Sequence, residues 1–162
     1  MENVIVKPVL ALRHSNKKGQ SLFAKFITTM IKLRTKSKYY HSELILGDKW
    51  ISSDTPDGVT IRVLREDLDN VDWDYITLPE REITAEQYED LWLYINMQDG
   101  KGYDRGGIIL SQLIKIGIND TNKWFCSELV SKILQVIGYP DFLEITPSEQ
   151  DPGDLGIICN KM

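Results

Sequence analysis

The chain has 162 residues, 42% hydrophobic and 27% charged, the balance of one globular domain spanning 1–162 that buries its own core without disulfide or metal staples. No run approaches the ~20 apolar residues of a membrane-spanning helix, and the opening residues lack the basic and apolar regions of a secretion signal, so a cytoplasmic location and reduced cysteines are expected. The net charge of −5 is uneven, +7 over residues 1–50 and −12 over residues 51–162.

In chain order, Val4–Leu12 reads as a buried strand rich in β-branched residues, with Pro8 marking an edge or a bulge. His14 follows in a polar loop where exposure is expected. Ser21 can cap a helix running to about Arg34, with Leu22, Phe23, Phe26, Ile27 and Met30 on one face. Around it cluster Lys17, Lys18, Lys25, Lys32, Arg34, Lys36 and Lys38, a segment suited either to an anionic partner or to plain solvation.

Tyr39–Leu46 and Trp50–Asp54 form a predicted hairpin about the turn Gly47-Asp48. A two-residue turn sets Leu46 opposite Lys49, Glu43 opposite Ser52 and His41 opposite Asp54. Strand alternation then projects His41, Glu43, Ser52 and Asp54 from one face. Four polar side chains on one face of a half-buried hairpin need partners or a function. After the Pro56-Asp57-Gly58 turn, Val59–Leu64 and Trp73–Leu78 read as two more strands. Thr84-Ala85-Glu86-Gln87 fits a capping box and opens a helix with Tyr88, Leu91, Trp92 and Ile95 at helical spacing. A second, more apolar helix is predicted around Ile108–Ile114. Cys126 then stands at the start of a third, whose apolar residues Leu129, Val130, Ile133, Leu134 and Ile137 share a face, closed by Gly138. From Pro140 onward the tail reads as loop-rich.

The chemistry concentrates on Cys126 and His41. A thiol at a helix N-terminus feels the positive end of the dipole, which favours thiolate. It becomes a nucleophile when an imidazole can take its proton and a third polar group orients that imidazole. His41 sits among acids that can do so. Neither a nucleotide-binding loop nor zinc-site spacing is present, so no cofactor and no metal are expected.

Three stretches resemble one family. Ile31–Leu44, containing Thr35-x-Ser37-x-Tyr39-x-His41 before an apolar strand, resembles the approach to the catalytic histidine in circularly permuted papain-fold enzymes. These are the NlpC-like and YiiX-like branch, related to the lecithin–retinol acyltransferases. Phe125-Cys126-Ser127-Glu128-Leu129-Val130 resembles the nucleophile helix of that family, and Gly102-Tyr103-Asp104 a Tyr-Asp element preceding it. The Pro147 and Asp154-Leu155 region is similar to its closing segment. His before Cys is the permuted order.

The resemblance implies an α+β permuted papain-like fold, with an antiparallel sheet of about five or six strands packed on helices. It implies Cys126 as nucleophile, His41 as general base and then acid, and Tyr103 lining a substrate cleft. For the third residue the hairpin pairing favours Asp54, with Ser52 and Glu43 as alternatives. The expected activity is a thiol hydrolase of amidase or peptidase type acting on a peptide, amide or acyl substrate. The general look also resembles small phage-encoded members, placing it in a host cytoplasm. The competing readings are a lipid acyltransferase or thioesterase, and a non-catalytic protein binding a protein partner through Lys32–Lys38. Nucleic acid is not an expected partner.

Overall fold

The computed structural model describes residues 2–16, 19, 21–54, 57–63, 71–103 and 123–162; the side chains of Phe23, Ala24, Tyr103, Lys123 and Trp124 are outside that description. The expectations for Lys17, Lys18, Pro56, Leu64, Asp104 and the helix around Ile108–Ile114 also fall outside the described residues.

The fold is mixed α+β, with five helices among the described residues. The first predicted strand divides at Lys7-Pro8 into β1 (Asn3–Val6) and β2 (Val9–Arg13). Pro8 has no N–H to give a ladder, and its carbonyl instead accepts from Leu78 N. The two halves part company: β1 pairs antiparallel with β7 (Arg81–Thr84), whereas β2 enters the main sheet. That sheet is antiparallel and five-stranded, in the order β5 (Gly58–Val63), β4 (Lys49–Asp54), β3 (His41–Leu46), β2, β6 (Trp73–Thr77). Leu46 pairs with Lys49, Ile45 with Trp50 and Leu44 with Ile51, the register a two-residue turn dictates.

Helix α1 (Leu22–Thr35) precedes β3, and α2 (Ala85–Gln98) follows β7 behind a complete Thr84–Gln87 capping box. Short β8 (Gly102–Tyr103) and β9 (Lys123–Trp124) pair in parallel and lead into α3 (Cys126–Ile137). Gly138 ends α3 with φ of 89°, a left-handed cap that a side chain would strain. The tail is more helical than its composition suggests: α4 (Pro140–Leu143), a 3₁₀ turn at Pro147–Glu149 and α5 (Pro152–Cys159). Asp151 accepts from Asp154 N, and Pro152 occupies the first turn where no N–H is missed.

One face of the sheet builds the core. Leu10, Leu12, Leu44, Leu46 and Ile51 pack with Leu129, Ile133, Leu134 and Ile137 of α3. The other face carries a smaller cluster of Ala11, Ile45 and Trp50, bordered by Trp73 and Tyr75. Among the described residues no helix is long and apolar enough to cross a membrane.

Candidate active site

The site forms where the first turn of α3 meets the start of β3. The apolar stripe of α3 binds it to the core, and Ser127 Oγ donates to the Gln150 carbonyl at 2.7 Å, tying the N-terminal turn to the tail. Both cysteines are free thiols. Cys126 is buried beside the equally buried His41, and the two groups bear on each other electrostatically.

His41 is fixed from its other side. Nε2–H donates to Glu43 Oε1 at 2.9 Å, which leaves Nδ1 as the nitrogen for the thiol. Alternation along β3 puts Glu43 two residues on and on the same face, within direct reach of the ring. Glu43 is itself buried and fully engaged. Ser52 Oγ donates to Oε1 at 2.7 Å, and Arg62 Nη2 donates to Oε2 at 3.2 Å. Three donors thus meet the buried carboxyl group, and neither of its oxygens is orphaned.

The electrostatics of the pair are reciprocal. Burial pushes the Cys126 thiol up, but the charge and hydrogen bond of His41, then the Ser42 backbone and hydroxyl, bring it below its ordinary value. Burial pushes the His41 ring down, yet the Cys126 thiolate and then Glu43 outweigh it and raise the ring to about 10. Both shifts act in the direction of thiolate and imidazolium. Ser42 Oγ is fully buried and meets no acceptor at good hydrogen-bond geometry, so its proton is available to the sulfur.

The lead-in to His41 is anchored separately. Tyr39 Oη and Lys38 Nζ each lie 2.6 Å from Asp74 Oδ2 on β6, which holds the Asp74 carboxyl below its usual range. Gly153 of α5 lies so close that a Cβ there would stand 2.6 Å from Ser37 Cβ. His14, expected in the open, is half-buried with Nε2 3.5 Å from Asp74 Oδ1.

Of the three candidates for the third position, Glu43 is the one hydrogen-bonded to the ring, and Ser52 supports it from across the hairpin. Asp54, favoured by strand pairing and by its carboxylate chemistry, ends β4 opposite Gly58 and bears electrostatically on Tyr40. Tyr103 pairs through its backbone with Trp124, two residues before the thiol.

Sequence reasoning missed three contributors. Arg62 was legible: Val59, Ile61 and Val63 alternate, so Arg62 turns toward the face of Trp50 and Ser52. Ser42 carried no signal. Trp73 packs edge-to-face on His41 with ring centroids 6.0 Å apart, because β2 sits between β3 and β6 and registers Arg13 with both residues. Among the described residues no three His, Cys, Asp or Glu side chains converge as ligands for a metal. In comparisons with known proteins, the chain matches no family model and no curated sequence.

Proposed function

We propose that the protein is a cysteine hydrolase of the permuted papain-like kind, acting on an amide or ester through a thioester. The observation that carries this reading is Cys126 heading α3 with His41 buried against it and the ring held by Glu43; the opposite directions of their pKa shifts are in keeping with it. Such a pair is poised for nucleophilic attack, and perturbed buried pairs concentrate where chemistry is done. The order His41 before Cys126, and a sheet strand facing a nucleophile helix, are in keeping with the permuted arrangement.

In the proposed reaction the Cys126 thiolate forms a bond to the substrate carbonyl carbon, and the C=O electron pair moves onto oxygen. The Cys126 N–H, one of the first-turn groups a helix leaves without an intrahelical acceptor, donates to that oxyanion. Collapse breaks the bond to the leaving amine or alcohol, which takes the proton from His41 Nδ1. His41, now neutral, takes a proton from water as it attacks the thioester. The acid is released, and the returning thiolate restores the ion pair. Throughout, Glu43 orients the ring and offsets its charge.

The test is trapping. Wild type and Cys126→Ala are incubated with peptide amides and with activated acyl esters, then weighed intact. An acyl adduct on wild type that is absent from the variant is expected. The same adduct on Cys126→Ala, or none on either protein with both substrate classes, would overturn the reading.

A further inference from the structure

Helix α1 is seated with its apolar side outward. Leu22, Phe26, Met30 and Leu33 are 85%, 59%, 40% and 69% exposed, while Thr28 is the buried residue on the opposite side. Spacings of four, four and three residues place these side chains in one stripe. A contiguous stripe of that kind is unfavourable in water and marks a contact surface. Its orientation is set at the far end, where Lys32 Nζ lies over the Tyr40 ring at 5.0 Å and donates to the His14 carbonyl. Along the sequence, the charge of this segment has one sign. Residues 3–42 contain nine Lys or Arg and no Asp or Glu, in a chain of net charge −5. Lys25 is exposed beside the stripe and Lys36 just beyond the helix end; Lys38, also exposed, is paired with Asp74.

We propose that α1 docks on an anionic phospholipid bilayer, lying in the plane of the interface with Leu22, Phe26, Met30 and Leu33 among the acyl chains. The lipid phosphates then face the lysines. A bilayer satisfies both features at once, apolar depth for the stripe and negative charge for its border. A nucleic acid would match the cations and leave the stripe in water. A second copy would cover the stripe but bring two all-cationic segments together. The surface is separate from the thiol site, so its fate and that of the proposed hydrolase are independent.

The full chain is sedimented with phosphatidylcholine vesicles and with vesicles containing about one-third phosphatidylglycerol. Binding is expected to the anionic vesicles and to be lost at about 1 M salt. Phe26→Asp with Leu33→Asp is expected to weaken it about a hundredfold or more. Lys25→Gln, which leaves the stripe intact, should weaken it about fivefold. Ile157→Asp, at an exposed apolar position on α5, should change nothing. No vesicle binding, equal binding to neutral vesicles, or binding indifferent to the Phe26/Leu33 pair would each overturn the proposal. So would a dimer in solution that this pair abolishes.

Discussion

The two cysteines are almost equally buried, Cys126 at 6% exposure and Cys159 at 4%, and each stands at the end of a helix. Their chemistry diverges all the same. Cys126 opens α3 at the positive end of its dipole, against a histidine. Cys159 closes α5 at the negative end, where burial and then the Asp141 charge push its thiol up to about 12. Burial is common to both, so the difference comes from position on the helix and from the neighbouring charge. A buried cysteine is inert by default, and a nucleophile where an ion pair offsets its desolvation.

The comparison can be broken most decisively by deletion. Cys126→Ala should abolish acyl-adduct formation, and Cys159→Ala should leave its rate within about twofold, as measured by intact mass. Next in size is the base. His41→Ala should lower turnover by about a hundredfold or more. The same variant should move the midpoint of Cys126 alkylation up, since burial is then opposed by Ser42 alone. A variant that alkylates at the wild-type rate at neutral pH would dissolve the distinction between the two thiols.

A third contrast sharpens the carboxylate assignment. Glu43→Gln removes a charged hydrogen bond worth about 2 kcal/mol, so turnover should fall about thirtyfold. Asp54→Asn should leave it nearly unchanged, and the reverse ranking in steady-state assays would return the role to Asp54.

The pH dependence carries a definite sign. Because Cys126 is lowered, its thiolate is present above the depressed value and is lost as pH falls through it. Because His41 is raised, the imidazolium is present below about 10 and is lost above it. Alkylation of Cys126 should therefore extend to lower pH than that of an ordinary thiol and decline as pH falls through the depressed value. Cys159 in the native protein should stay unreactive throughout, which mass-mapped iodoacetamide labelling at several pH values would check. The smallest effect is on stability. Cys159→Ala removes a packed sulfur and should cost about 1 kcal/mol by urea denaturation.

Much of the fold was readable because its signals are local. The Thr84–Gln87 box, the Gly138 cap and the Gly47-Asp48 turn each depend on residues within a few positions of one another, and each forms. Local reasoning fell short at Pro8, where the missing N–H ends one strand and starts another rather than bending a single one. It also read the tail as loop, because the Asp151–Asp154 cap encloses Gly153 and is followed by Gly156, poor helix formers in close contact with Ser37, Leu12 and Tyr39.

The site divides along the same line. Sequence by itself determined that Cys126 heads a helix, that His41 lies on a hairpin strand, and that Glu43 and Ser52 share its face, because helix and strand periods are properties of the backbone. Tertiary structure decided which acid the ring takes, since a hydrogen bond depends on side-chain reach and not on strand pairing, and Glu43 is within 2.9 Å. It decided that Trp73 touches His41, through the insertion of β2 between their strands. It also decided that α1 turns its apolar stripe outward, because periodicity defines a face without saying what lies against it.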